Sequence, residues 1–331
     1  MLVPQPNYPV GNFWADAKTF GARGGFQNGL NPSLVGNIWY VNGNTQANQT
    51  FRRGPVGSDG NNGLSPMAPF ATMARAFTFI KSYDVIVLDG VIREQVVSPA
   101  EVYNITIIGG GNFTPRQATS SGVATGGGAS WLAPTTAVAL TPLLEILSAG
   151  WTLVNLQMSP VTSSACVRLT RSATVDATDG SHARFVNCYF AGGTTPIGIE
   201  DNGGCGFVIV EDCRFQNLTS AIKGLNTAAA VPLSWGIRDC RFQQNTNDVT
   251  MSLSYAIIER NKFMTAGSGA TNKVISTTFV AVQGGNNHIL LNQFTNTEVQ
   301  IAPGNGFTGA ASDVWMNYVT DQAALAFGQP A

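Results

Sequence analysis

The chain has 331 residues, a formal net charge of −1, 11% charged residues and 37 glycines. That length is enough for one elongated domain or two compact ones. The lack of excess Lys and Arg argues against nucleic acid as a partner, and no run of about 18 apolar residues is present to insert into a membrane. The composition favours a repetitive fold with many tight turns and a surface partly covered in an assembly.

Residues 1–38 are predicted to form an extended arm. Prolines interrupt this segment and it has no hydrophobic periodicity, so it is poorly suited to fold alone. We therefore expect it to dock onto a neighbouring protein. Its first residues lack the charged and apolar regions of a signal peptide, so secretion is not expected. The candidate anchoring side chains are its scattered aromatic residues, Phe13, Trp14, Phe20 and Phe26.

Residues 39–110 contain the first predicted regular elements. Residues 39–42 read as a strand, and residues 53–63 form a turn-rich loop. A helix is predicted next, with Pro69 in its first turn and one apolar face made of Phe70, Met73, Ala74, Phe77 and Ile80. Three further strands are predicted at 84–90, 94–97 and 105–110. Residues 112–150 are rich in Gly, Thr and Ser and are predicted to be a long loop projecting from an early rung.

From residue 151 the chain repeats. A short frame closes on an apolar residue at positions 158, 190, 215, 242, 263, 294 and 319, and the residue five places earlier is apolar in every copy. A strand with a period of two cannot point positions five apart in the same direction. The chain must therefore bend between two inward-facing strands. The pattern predicts seven stacked rungs of a solenoid over 151–319, followed by a short tail at 320–331.

The residue two places before each closing position forms a second inward column. Its first members include Cys188, Cys213 and Cys240, three of the five cysteines. Stacked cysteines on parallel strands have poor geometry for a disulfide, so reduced, small apolar fillers are favoured over a disulfide or a metal site. The later members, Asn261, Asn292 and Asn317, are predicted to form a ladder of hydrogen-bonded amides.

An outward column lies between the two inward positions of the second strand. It contains three successive cations flanked by tyrosines, a pattern that could bind an acidic glycan or a partner chain. Asp212 and Asp239 precede two of the arginines and could neutralise them, which would leave a solvated face instead. The candidate binding residues are Tyr189, Arg214, Arg241, Lys262 and Tyr318.

No catalytic residue is assigned. A glycosidase would need two carboxyl groups about 5–10 Å apart. The candidates are Glu200 and Asp201, expected in a loop, with Asp212 and Asp239 on stacked rungs, where ion pairs with arginines would keep them charged. Spaced metal ligands and a phosphate-binding loop are absent from the sequence, so no metal or cofactor is expected.

Two stretches resemble known families. The loop Asp59-Gly60-Asn61-Asn62-Gly63-Leu64-Ser65-Pro66, the following Pro69-Phe70-Ala71-Thr72, and the strand from Asp84 resemble the start of right-handed parallel β-helix proteins of the pectate-lyase-like superfamily. With the repeat, this resemblance implies an all-β fold, a single right-handed parallel β-helix with an N-terminal capping helix. The predicted boundaries are 1–38 for the arm and 39–331 for the β-helix, divided at 39–82, 83–150, 151–319 and 320–331.

The second resemblance concerns function. Residues 20–25, Phe-Gly-Ala-Arg-Gly-Gly, resemble the opening of many phage tailspike β-helices. This implies a non-enzymatic virion protein of a tailed bacteriophage, a spike, fibre or capsid-decorating protein made and assembled in the host cytoplasm. Residues 1–38 would bind other virion proteins, the chain would form a homo-oligomer, a trimer in that resemblance, and it could contact a host surface glycan. A polysaccharide depolymerase and a glycan-binding module are the alternatives left open.

Overall fold

The structure is a computed structural model. It describes residues 36–43, 55–110, 129–160, 164–172, 178–192, 196–224, 232–251, 253–264, 273–276, 287–294, 313–315 and 318–319. For residues 273–276, 294, 313–315 and 318–319 it describes the backbone alone. The candidate anchoring residues Phe13, Trp14, Phe20 and Phe26 and the tail at 320–331 lie outside the described residues, as does the side chain of Tyr318.

The described residues form 26 strands and one helix, α1 (Met73–Phe77). The strands of the first three rungs are β1 (Ile38–Asn42), β2 (Val85–Asp89), β3 (Val91–Arg93), β4 (Val96–Val97), β5 (Thr106–Gly109), β6 (Ser130–Leu132) and β7 (Leu144–Ile146). Then follow β8 (Thr152–Val154), β9 (Gln157–Ser159), β10 (Ala165–Thr170), β11 (Arg184–Val186), β12 (Tyr189–Ala191), β13 (Ile197–Asn202), β14 (Ile209–Glu211), β15 (Arg214–Gln216) and β16 (Ser220–Gly224). The last are β17 (Gly236–Arg238), β18 (Arg241–Gln243), β19 (Asn247–Thr250), β20 (Ile257–Glu259), β21 (Lys262–Met264), β22 (Lys273–Ser276), β23 (His288–Leu290), β24 (Gln293–Phe294), β25 (Asp313–Trp315) and β26 (Tyr318–Val319).

These strands pair in parallel into three long sheets, so the fold is a right-handed parallel β-helix, as the sequence predicted. From β2 to β22, each rung contributes one strand to each sheet in turn. Sheet 1 has ten strands, in the order β1-β2-β5-β8-β11-β14-β17-β20-β23-β25. Sheet 2 has nine, from β3 through β6, β9, β12, β15, β18, β21 and β24 to β26. Sheet 3 has seven, from β4 through β7, β10, β13, β16 and β19 to β22.

The seven rungs predicted over 151–319 are confirmed, together with their bend. Each has one strand in sheet 1 and one in sheet 2, beginning with β8 and β9 and ending with β25 and β26. At the bend between them the backbone turns into the left-handed region, with φ of 58° at Asn155 and 52° at Asn187. Asn and Asp tolerate this region better than most residues. The same bend also occurs at less suited residues, Arg260 (φ 56°) and Leu291 (φ 57°), so the stacked rungs impose it.

Both inward columns are buried where the structure describes their side chains. At the closing position, Phe190, Phe215, Phe242 and Phe263 stack face to face with ring centroids 4.7–4.9 Å apart. This spacing equals the strand separation of a sheet, so every rung repeats the contact of the one before. The cysteines of the second column are free and buried in the core, which confirms their prediction as inward fillers.

The predicted amide ladder is present at the two described positions. Asn261 Nδ2 donates to Asn292 Oδ1 at 3.0 Å and to the Ile237 carbonyl at 2.9 Å. Asn261 Oδ1 accepts from the backbone N–H of Cys240 at 2.8 Å. The amides thus satisfy buried backbone groups at the bend, groups that would otherwise lose hydrogen bonds to water without replacement.

The N-terminal helix differs in detail from the prediction. α1 starts after the cap residue Thr72, so Pro69 lies before the helix rather than in its first turn. Ala74 is exposed and Ala76 is buried in its place, because a helix that begins at Met73 turns positions 73 and 76, three residues apart, to the same side. Phe70 instead pairs with Val41 beside β1, the edge strand of sheet 1.

Two carboxylates hold this N-terminal region together. Asp59 Oδ1 accepts from the backbone N–H of Ala71 and Thr72, both at 3.0 Å, and so positions the helix cap. Buried Asp84 accepts from Trp39 Nε1 at 2.7 Å and from the Lys81 N–H at 2.8 Å. The acids of the loop and first-strand motifs are therefore structural.

Two parts of the chain organisation were predicted wrongly. Residues 112–150 are not one long loop, because β6 and β7 form part of a full rung, with Trp131 buried in the core. The sequence reading also missed sheet 3 within the repeat. The segments before and after each strand of sheet 3 vary in length from rung to rung. The sheet 3 strands therefore fall at no constant distance from the closing residue, and the repeat pattern does not reveal them.

Candidate functional site

Glu200 and Asp201 lie on β13 in sheet 3, so their placement in a loop was wrong. Because side chains alternate along a strand, the two point to opposite faces. Asp201 is in register with buried Leu169 and faces the core, where none of its surface is exposed. Burial raises the pKa of Asp201 to about 6, although its Oδ1 accepts the Cys205 N–H at 2.8 Å. A carboxyl group enclosed in this way cannot reach a polymeric substrate.

Asp212 and Asp239 lie at the bends between sheets 1 and 2, with φ of 50° and 54°. Both are exposed. Arg260 in the next rung binds Asp239 with two charge-assisted hydrogen bonds of 2.9 and 2.8 Å, so Asp239 pairs with Arg260 rather than with Arg241 as expected. Asp212 and Asp239 lie at the same corner of neighbouring rungs, as predicted, but the structure brings neither of them to Glu200 on the outer face of sheet 3 or to Asp201 in the core.

Sheet 3 holds another buried acid, which was not singled out from the sequence. Asp248 on β19 is fully buried, and burial raises its pKa to about 8. Its Oδ1 accepts from Asn245 Nδ2 at 2.8 Å, while Oδ2 has no hydrogen-bond partner among the residues that the structure describes. The alternation of inward and outward side chains along β19 could have indicated that Asp248 is buried, but only if sheet 3 had been recognised from the sequence. Asp248 is a group that affects stability, not one available for chemistry on a ligand.

The outer face of sheet 3 carries a groove of about 250 Å³. Within it Arg168 Nε lies 2.7 Å from Glu200 Oε2, and Lys223 stands beside Glu200 on β16. Glu145, on the other side of Arg168, extends the series. We call these four residues the acid–base row: Glu145, Arg168, Glu200 and Lys223. Three of them were not singled out from the sequence, because sheet 3 itself was missed.

The predicted outward column lies on the outer face of sheet 2, in the expected register. Arg214 of β15, Arg241 of β18 and Lys262 of β21 are direct neighbours. We call these three residues the cationic row. Neighbouring strands are about 4.8 Å apart, and two like charges at that distance repel by roughly 1 kcal/mol in water and more strongly where burial lowers the dielectric constant.

One end of this column is covered. Tyr189 is 1% exposed and Arg214 6%, whereas Arg241 and Lys262 are partly exposed. Arg214 donates to Gln216 Oε1 at 2.7 Å and to Gln243 Oε1 at 2.8 Å, and its guanidinium lies 5.4 Å from the centre of the Tyr189 ring. Burial first, and the charge of Arg241 in addition, lower the pKa of Arg214. Tyr189 and Arg214 are therefore too buried to contact a ligand directly, and the exposed half of the cationic row consists of Arg241 and Lys262.

Two further features bear on chemistry. Among the residues that the structure describes, no group of three or more His, Cys, Asp or Glu side chains is placed to hold a metal ion. Within the same residues, no helix has the length and hydrophobicity needed to cross a membrane.

No protein-family model matches the chain, and no curated protein matches it. Several solved structures are similar to it. A rhamnogalacturonan lyase is 13% identical with a TM-score of 0.32, covering 85% of this chain and 87% of its own. The pectate lyase Pel9A is 12% identical with a TM-score of 0.34, covering 88% and 82%. The Dettilon tailspike protein is 12% identical with a TM-score of 0.27, covering 86% and 68%. With TM-scores of this size, the class of fold rests on the strand pairing of this chain itself, and the activities in those names belong to those proteins.

Proposed function

We propose that this chain is a non-enzymatic structural protein of a bacteriophage virion, a spike, fibre or capsid-decorating protein held to the particle by residues 1–38. The observation that carries the non-enzymatic part is the position of the candidate acids. Asp201 is enclosed in the core, Asp239 is bound by Arg260, and Glu200 by Arg168. What remains is a stiff rod: ten parallel strands in one sheet, roughly 45 Å from end to end.

The virion assignment is supported by the tailspike-like opening at residues 20–25 and by an aromatic arm in front of a rod. In the full-length protein, a Phe13→Ala/Trp14→Ala double variant should fold normally but be absent from purified particles. A Tyr103→Ala variant, which removes an exposed aromatic side chain from the body of the rod, is the control and should be incorporated. Incorporation of the double variant at the normal level would exclude these residues as the anchor.

A homo-oligomer, in the form of a trimer, is part of the same proposal, because spikes and fibres of this type combine several rods. Sedimentation of the full-length protein measures this directly. A monomer at the concentrations found in particles would contradict it.

The acid–base row favours one second candidate, a polysaccharide depolymerase. Glu145 and Glu200 stand two strands apart on one face, with Arg168 between them. Their separation of roughly 10 Å is at the upper limit for two carboxyl groups that act on a glycosidic bond. Incubation with host surface polysaccharide, followed by assays for new reducing ends and unsaturated uronate, tests it. Cleavage that is lost in Glu200→Gln would replace the structural proposal.

A further inference from the structure

Charges on two faces of the rod are compensated from rung to rung. On sheet 1, Glu211, Arg238 and Glu259 are in register, and Arg238 Nε lies 3.3 Å from Glu259 Oε1. The acid–base row of sheet 3 alternates in the same way. The cationic row of sheet 2 departs from this arrangement, since three cations follow one another without an acid between them.

The exposed half of the cationic row, Arg241 and Lys262, is not neutralised by ion pairs among the described residues. Asp239, two residues before Arg241, is bound by Arg260, and Glu259, three residues before Lys262, pairs with Arg238 and Arg260. The sequence that follows β21, residues 265–272, contains no Asp or Glu. Within the part of the chain that the structure describes, Arg241 Nη2 finds the Met264 sulfur as its acceptor, at 3.7 Å, and the buried Nε finds no partner.

We propose that the cationic row binds a linear anionic polysaccharide lying along the rod, with its acidic groups on Arg241 and Lys262. A ligand anion would remove the repulsion within the row and provide the acceptors that the guanidinium lacks. The proposal goes beyond the structural role and holds whether or not the chain belongs to a virion. The site is also separate from the groove of sheet 3, on a different face of the rod.

Polysaccharide fits this face better than an acidic peptide does. The backbone N–H and C=O groups of β18 and β21 are used in pairing with neighbouring strands, so a bound peptide would find no partners for its own backbone. Sugars instead present hydroxyl groups, which match side-chain amides as both donors and acceptors. Two partly exposed amides, Gln243 and Gln293, border the row. One pyranose unit also extends a chain by about the distance between two rungs.

The test uses the full-length protein and calorimetric titration with two anionic polysaccharide fragments, oligomeric alginate and dextran sulfate. Arg241→Gln/Lys262→Gln should weaken binding of either at least tenfold, and added salt should weaken the wild-type interaction. Gln is the suitable replacement because Gln157 and Gln293 occupy the same column in other rungs. The single Lys262→Gln variant, with an expected loss of several-fold, covers the case in which the double variant folds poorly.

A Lys81→Gln/Arg93→Gln variant removes the same two charges at exposed sites away from the row and should bind like wild type. Binding of either anionic fragment supports the proposal. The fragment that binds more strongly shows whether the row prefers carboxylate groups, as in alginate, or sulfate groups, as in dextran sulfate. The proposal is overturned if wild-type protein binds neither, if the control variant loses as much affinity as the row variant, or if unsulfated dextran or poly-glutamate binds equally well. Particle incorporation is measured separately, so failure here leaves the anchoring result unaffected.

Discussion

Asp248 should make the stability of this protein fall as pH rises through neutrality. In the folded protein its pKa is raised from 3.8 to about 8 by complete burial. Between those values the folded state holds one more proton than the unfolded state. The free energy of unfolding then decreases with rising pH by about 1.4 kcal/mol per pH unit. The stabilising effect of the proton is complete below pH 4 and lost above pH 8.

From pH 5 to pH 8, Asp248 alone should lower the free energy of unfolding by roughly 4 kcal/mol. Asp201 contributes in a lower window, because its folded-state pKa is about 6. Asp248→Asn cannot ionise, and its Oδ1 can still accept the hydrogen bond from Asn245. In this variant the free energy of unfolding should still fall with rising pH below pH 6, but it should be constant from pH 6.5 to 8. Asp201→Asn should keep the full slope from pH 6.5 to 8 and lose only about half of it below pH 6, because Asp248 still contributes there.

Urea unfolding followed by fluorescence of the buried tryptophans Trp131, Trp151 and Trp235 measures this, with the midpoint recorded every half pH unit from 4.5 to 8.5. Asp239→Asn is the matched control, since it removes an exposed carboxylate and should leave the slope unchanged between pH 6.5 and 8. If the midpoints of wild type and Asp248→Asn run parallel over that interval, Asp248 does not carry a proton at neutral pH and the reasoning is refuted.

Three other outcomes follow from the rungs. Asn261→Ala should lower the free energy of unfolding by about 2–3 kcal/mol in a urea titration, since it leaves the buried N–H of Cys240 and the carbonyl of Ile237 without partners; a loss under 0.5 kcal/mol would contradict the ladder. Tyr255→Asn should raise the melting temperature, with a gain of up to about 1 kcal/mol, because Tyr255 is exposed with φ of 56° and Asn relieves that strain; the reverse change at the equivalent corner, Asn104→Tyr, should lower it. All five thiols should stay unlabelled by a disulfide reagent at pH 8 until urea is added, since they are buried and burial raises the pKa of Cys166, Cys188 and Cys213 well above the usual value; rapid labelling of the folded protein would show that the core opens.

Much of the scaffold could be read from the residues alone. The closing apolar position, the apolar residue five places earlier and the Cys/Asn column each mark one inward position, and their odd spacing required a bend. That inference needed no coordinates, because a strand can place only every second residue on one side. The bend then appears at Asn155, Asn187 and their equivalents in the left-handed conformation. The bend that the local residue pattern requires is the same bend that the stacked core imposes, which is why the prediction succeeded.

The candidate site was decided by the tertiary structure. Glu200 and Asp201 are adjacent in sequence, yet one lies on the surface of sheet 3 and the other in the core. That difference depends on the register of β13 against β10, which the chain does not reveal until neighbouring rungs are stacked. The compensation of charges has the same origin. Arg168 and Glu200, or Asp239 and Arg260, are 32 and 21 residues apart and meet because one turn of the solenoid separates them. Sequence thus determined the repeating unit, whereas the stacking of units determined which acids are buried, which are paired, and that the cations of sheet 2 stand next to one another.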